Sequence, residues 1–155
     1  MNRFFYAPKD DPYHSSQWRE PYPQDKLNEL VALVNLCTQK NIQVTWAIHP
    51  LMHNPVNFST EETYQADLNL IKAKFAQTYN IGVRNFCLSA DDAAEGEGVV
   101  ASNQIKLVKD LQNWLKDSYG ISTIDFVPTQ YCEDFMQGED YLLALQQLDQ
   151  NVKIM

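Results

Sequence analysis

The sequence predicts an α/β fold with a parallel sheet, read as a portion of a (β/α)8 barrel. Three observations carry this. Short β-rich apolar runs, each closing on Pro or Asp and polar residues, recur along the chain. Stripes at the helical period fill the intervals between them, and strict alternation of strand and helix implies right-handed parallel crossovers. No Gly-rich phosphate loop follows any run, which weakens the alternative of a flavodoxin-like open sheet that binds a nucleotide.

The elements follow in order. Arg3 to Pro8, Val44 to Pro50, Arg84 to Asp92 and Thr123 to Tyr131 are near-continuous apolar runs, as expected of strands buried on both faces. A fifth run begins at Val152 and stops at Met155. Between the first two, Asp25 to Lys40 carries Leu27, Leu30, Val31, Val34 and Leu36 near the helical period. Ser59 opens the next helix as cap of a Ser-Thr-Glu-Glu capping box, and Leu68, Leu70, Ile71, Phe75 and Tyr79 follow. Ile105, Val108, Leu111, Trp114 and Leu115 form a third stripe, closed by Gly120 as C-cap. Tyr141, Leu142, Leu145 and Leu148 form a fourth. A whole barrel needs ~250 residues, so five strands in 155 make only a portion of one, and a last strand ending on Ile154-Met155 favours that reading.

Composition narrows the function. Twelve Lys+Arg against 20 Asp+Glu leave a net charge of -8, so nucleic acid and anionic membrane surfaces are poor partners. No apolar run approaches the roughly 20 residues of a membrane span, and the opening Met-Asn-Arg-Phe-Phe-Tyr lacks the layout of a signal peptide. Cys37, Cys87 and Cys132 are too widely spaced for a zinc pattern or a disulfide framework and read as buried thiols. His49 and His53 are four apart, but Pro50 keeps them off one helical face, so no metal is expected.

Active sites of parallel α/β folds lie at the carboxyl ends of the strands. Asp91-Asp92 is the sharpest feature there. Adjacent carboxylates at a buried strand end oppose each other's ionisation, which suits one of them to act as a general acid. A solvated turn or a helix N-cap is the alternative. Asp10-Asp11, beside Lys9, reads as a structural salt bridge; a receiver-like acidic cluster is the other option.

Three motifs, in order along the chain, make it recognisable. Tyr6-Ala-Pro-Lys-Asp-Asp-Pro-Tyr-His14, followed by Trp18-Arg-Glu-Pro-Tyr-Pro23, resembles the signature of family 84 glycoside hydrolases. These are β-N-acetylglucosaminidases, including O-GlcNAcase and bacterial hyaluronidase-type enzymes. Gly82-Val-Arg84, leading to Asp91-Asp92, resembles the family's catalytic strand, and Pro128-Thr-Gln-Tyr-Cys132 its Pro-Thr-x-Tyr segment. The resemblance implies a (β/α)8 barrel that removes terminal β-linked N-acetylglucosamine with retention, through an oxazoline formed by the substrate's own acetamido group. It implies that Asp91 orients the acetamido N–H, that Asp92 is general acid and then base, and that Lys9 and Tyr131 contact the sugar. No cofactor is implied, and the partner is a carbohydrate. His49-Pro50-Leu51 stands where the family has Ser-Pro-Gly, and Ala90 where a larger residue precedes the Asp pair.

The resemblance further implies that the chain corresponds to strands two to six, a single-domain fragment spanning 1–155. A non-catalytic carbohydrate-binding remnant of the barrel is the alternative. On the barrel reading, Phe4, Tyr6, Trp46, Ile48, Phe86, Leu88 and Phe126 would face the barrel centre. Two open sheet edges and an unfilled centre would then favour self-association and leave the isolated chain with little activity.

Overall fold

The computed structural model describes residues 2–93, 96, 100–132 and 139–155. Strands β1 (Arg3–Tyr6), β2 (Gln43–Ile48), β3 (Asn85–Ser89), β4 (Ile124–Val127) and β5 (Val152–Ile154) form one sheet in the order β1-β2-β3-β4-β5. Every neighbouring pair is parallel. Helices α1 (Gln24–Gln39), α2 (Glu61–Asn80), α3 (Ala101–Tyr119) and α4 (Glu139–Leu145) fill the four crossovers. Sequential strand order with a helix in each crossover is the connectivity of a (β/α)8 barrel sector, whereas a doubly wound sheet reverses its strand order.

Curvature points the same way. The Arg3 guanidinium of β1 pairs with the Asp125 carboxylate of β4 and donates to Thr45 Oγ1 of β2 at 2.6 Å. Three strand spacings separate β1 from β4, about 14 Å in a flat sheet. Side chains meet across that span only because the sheet curls and brings its concave face together.

The face assignment differs from the sequence expectation. Tyr6, Trp46 and Phe86 share a register row, as do Ile48, Leu88 and Phe126. These residues face the helices, not the barrel centre. The Phe75 ring of α2 meets Trp46 edge-on at 5.7 Å and stacks on Phe86 at 4.8 Å. Leu30, Val34, Leu68, Ile71, Leu107, Leu111 and Leu115 complete this layer from the helices. Arg3, Thr45, Ala47, Cys87, Ser89 and Asp125 occupy the alternate positions, on the concave side. The gap between sheet and helices takes most of the strand aromatic rings, while the curled side takes Phe5, under the Arg3 guanidinium, beside mainly small and polar groups. Period-2 alternation cannot signal this, because both faces are buried.

Cap chemistry sets two of the boundaries. Thr60, not Ser59, is the N-cap of α2; its hydroxyl accepts from Thr63 N at 3.2 Å, and Thr63 closes the box. The Ser59 amide is instead taken by Asn57 Oδ1 at 2.9 Å, which delays helix entry by one residue. Gly120 ends α3 at φ 69°, as the sequence predicts. The fourth helix stops at Leu145; Leu148 packs on the core from the following turn, and Leu142 is exposed. At Gly82, with φ 107°, an added Cβ would lie 3.0 Å from Val34 Cγ1, so the turn into β3 needs glycine. None of the described helices is long and apolar enough to cross a membrane.

Candidate active site

The long β1–α1 connection is held by side chains rather than regular structure. Asp11, buried, accepts from Tyr6 Oη at 3.0 Å, Tyr22 Oη at 2.8 Å and Tyr13 N at 2.9 Å. No salt bridge joins it to Lys9, contrary to expectation: two phenols and an amide satisfy the carboxylate, and Lys9 reaches elsewhere. Burial first, and then the Asp11 charge, push both phenols above their ordinary range. Lys74 of α2 lies beneath the same connection. Its ammonium donates to the Tyr13 and Glu20 carbonyls and lies 4.5 Å from the Tyr22 ring centroid, and burial lowers its pKa to about 8.

Trp18 and Arg19 tie this connection to the β2–α2 loop. Trp18 is fully buried and donates from Nε1 to the Asn54 carbonyl at 3.0 Å. Arg19 grips Asp67 with two hydrogen bonds, of 2.7 and 2.6 Å, and donates to the Asn54 and Pro55 carbonyls. The Trp-Arg-Glu-Pro-Tyr-Pro segment is therefore a folded fastening, in which Trp18, Arg19 and Tyr22 each fill a structural position.

With the connection fixed, Lys9 projects over the carboxyl end of the sheet. Its Nζ lies 3.0 Å from Asp91 Oδ2 and 3.6 Å from Asp92 Oδ2, across 82 residues of chain. Burial pulls the ammonium pKa down, but the hydrogen bond and charge of Asp91 outweigh it and hold the group above its ordinary value. Asp91 is partly buried, while the Asp92 side chain is 68% exposed on a left-handed residue with φ 52°. Lys9, Asp91 and Asp92 thus form one cluster, and the structure sets Tyr131 one strand further along. Tyr131 is exposed and lines an apolar cavity of about 380 Å³ with Leu142, Ile154 and Met155.

Neighbouring strands hold the Asp pair from both sides, through residues the sequence reading did not select. From just beyond β4, Thr129 Oγ1 donates to the Ala90 carbonyl at 2.8 Å and accepts from Gln104 Nε2 at 2.6 Å. Tyr141 Oη donates to Gln104 Oε1 at 2.7 Å and accepts from Thr129 N at 3.0 Å, closing a buried network. From the β2 side, the His49 Nε2 contacts the Asp91 carbonyl. His53, in contrast, is exposed. Cys87 is fully buried, and burial pushes its thiol up to about 12, out of nucleophilic range.

The two buried rings, His14 and His49, make acid stability predictable. Burial is the main cause that holds each below the usual histidine pKa, against the opposing pull of its carbonyl partner. The unfolded chain then binds protons first as pH falls through about 6.5, so stability conferred by the neutral rings is present above that value and lost below it. The urea midpoint should fall between about pH 7.5 and about pH 5.5. An unchanged midpoint would contradict the burial of neutral rings.

Comparison with known proteins identifies the family. The family model for β-N-acetylglucosaminidase matches residues 1–155. The chain belongs to the β-N-acetylglucosaminidase family. Protein O-GlcNAcase of Rattus norvegicus is 29% identical over 143 residues, covering 87% of this chain and 15% of the rat protein. Among solved structures, CpGH84D aligns with TM-score 0.91 and 41% identity, over 100% of this chain and 26% of that one. A mutant of the Thermobaculum terrenum O-GlcNAc hydrolase aligns with TM-score 0.85 and 26% identity, over 99% and 34%. The chain thus spans 15% of the length of the curated relatives it matches and a minor part of each solved relative. Family membership and the parallel sheet agree with the sequence expectation.

Proposed function

We propose that this chain carries the acid–base pair of a retaining β-N-acetylglucosaminidase acting on terminal β-linked N-acetylglucosamine, within a barrel to which it contributes five strands. The supporting observation is the cluster of Lys9, Asp91 and Asp92 at the carboxyl rim of the sheet. In this reading Asp91, the less exposed carboxylate, accepts the acetamido N–H and turns the acetamido oxygen toward the anomeric carbon. That oxygen displaces the aglycone to give an oxazoline, so no protein nucleophile is required. Asp92, open to solvent, donates its proton to the departing oxygen and then takes one from the water that opens the oxazoline. Lys9 hydrogen-bonds the sugar from beside the pair, and Tyr131 supports the acetamido group.

Asp91→Ala in the full-length protein tests this reading. Turnover should fall by roughly 10²-fold or more even on activated aryl N-acetylglucosaminides, because orientation of the nucleophile is lost whatever the leaving group. Affinity for an oxazoline-mimicking thiazoline should fall with it. Wild-type turnover, or undiminished thiazoline binding, counts against substrate assistance by Asp91.

The isolated 155-residue chain should behave differently from the whole. Its bulky strand residues are covered by helices, so the unfilled-centre argument for association does not apply. The open edges of β1 and β5 remain, and Leu142, Leu143, Ile154 and Met155 are exposed near the second. Open edges favour association, and a site lacking the remaining strands loses most of its rate. Light scattering at micromolar concentration should show oligomers with little hydrolysis of an aryl N-acetylglucosaminide. A monomer with normal turnover contradicts both expectations.

A further inference from the structure

His49 has a position that its place in a strand end does not explain. The side chain is 1% exposed, directly beyond β2, and the backbone there is fixed by a hydrogen bond from His49 N to the His14 carbonyl at 2.8 Å. The His14 ring packs edge-on against it, with centroids 6.3 Å apart, and is itself anchored by Nδ1 on the Ala47 carbonyl at 2.9 Å. The His49 imidazole therefore has little rotational freedom. Its Nε2 meets the backbone carbonyl of Asp91 and lies 3.5 Å from Asp91 Oδ1. Its Nδ1 is buried and has no hydrogen-bond partner among the described residues.

These facts fix the tautomer. An oxygen acceptor faces Nε2, so the ring proton resides there, and Nδ1 is left as a bare acceptor. An orphaned buried acceptor is unfavourable, and an apolar side chain of similar volume would fill the space without that cost. The Nε2–H contact is what distinguishes histidine from such a residue, and it is spent on the first residue of the acidic pair. The opposite side of the turn is held at the preceding carbonyl, Ala90, by Thr129. Asp92 follows in the left-handed region, so a shift of the Asp91 peptide redirects both carboxylates.

We propose that His49 is a positioning residue for the acid–base pair: as the Nε2–H tautomer it clamps the Asp91 carbonyl and sets the direction of both carboxylates. The inference rests on the catalytic reading of Asp91 and Asp92 given above, and His49 itself touches no substrate.

The test compares two polar replacements that differ in reach, in the full-length protein. Gln places an amide N–H near the position of Nε2, whereas Asn, like Nδ1, stops short of the Asp91 carbonyl. His49→Asn should lower kcat on aryl N-acetylglucosaminides by roughly 10–100-fold, with KM changed less than about threefold. The loss should be equal for good and poor leaving groups, since the whole pair is displaced. His49→Gln should retain kcat within about fivefold of wild type. Nitrogen-15 NMR should report the Nε2–H tautomer for His49. Equal kcat for the Asn and Gln variants, or an Nδ1–H tautomer, overturns the proposal. If His49→Asn does not fold, the tautomer and the activity of His49→Gln decide: an Nδ1–H ring, or a Gln variant that folds yet loses 10-fold or more, overturns it. Asp91→Ala is assayed in parallel. If it is inactive while His49→Asn matches wild type, the clamp alone fails; if it is fully active, the catalytic reading fails and the clamp with it.

Discussion

Asp92→Asn in the full-length protein is expected to cut turnover by roughly 10²-fold or more on N-acetylglucosaminides with poor leaving groups, and much less on activated aryl glycosides. The substitution isolates chemistry from conformation. Asp92 holds φ 52°, and Asn is among the few residues that occupy the left-handed region readily, so the turn survives the exchange. Its side chain is 68% exposed, so no core packing is lost. What disappears is the proton offered to the departing oxygen. An alkoxide leaving group needs that proton, and a nitrophenolate hardly does. Parallel losses on both substrate types would give Asp92 a different task, and a parent protein that binds sugar without hydrolysing any would favour the non-catalytic remnant.

The largest expected stability effect comes from Asp67→Ala. Asp67 accepts two hydrogen bonds from Arg19 and a third from Asn57 N at 2.8 Å. Removing it strands a guanidinium that is three-quarters buried, with Trp18 4.0 Å beneath it, and orphans a backbone amide. Breaking one side of such a pair should destabilise by about 3 kcal/mol, after discounting for the partial exposure of Arg19. For a domain of this size that is a drop in Tm of roughly 6–12 °C. Asp67→Asn, which keeps an acceptor, should lose less. A Tm within about 2 °C of wild type for Asp67→Ala would show that the Arg19 fastening does not hold the connection.

How much of this was legible depends on the range of the interaction involved. The first four strands were readable because each of their apolar runs meets a Pro or Asp that local chemistry forces, and Gly120 was readable as a cap because a left-handed residue selects glycine. The Asp pair stood out because parallel sheets put their chemistry at strand ends. Which strand face meets the helices was not readable, since Trp46 and Phe86 are buried on one side and Thr45 and Cys87 equally on the other. The partner of Lys9 was misread for a related reason. Asp10 and Asp11 are adjacent in sequence, but Asp11 is claimed by Tyr6 and Tyr22, and the ammonium goes to a carboxylate 82 residues away. His49 was read as a strand-end departure from the family's Ser-Pro-Gly and weighed as a metal ligand beside His53; nothing in its own segment points to the Asp91 carbonyl. Thr129, Gln104 and Tyr141 were hidden likewise, since a hydrogen-bonded chain through three elements has no spacing signature.

In the proposed mechanism the acetamido oxygen of the substrate, directed by Asp91, is the nucleophile. The most direct measurement is turnover by the full-length protein of aryl N-acetylglucosaminides whose acetamido methyl carries zero, one, two or three fluorines. Each fluorine withdraws electrons from the carbonyl oxygen while leaving the glycosidic bond and its leaving group unchanged. With the acetamido oxygen as nucleophile, kcat/KM should fall steeply and progressively across the series, and Asp91→Ala should flatten the trend. Rates that stay level with fluorination in the wild-type protein would place the nucleophile on the protein or on water, and would contradict the account.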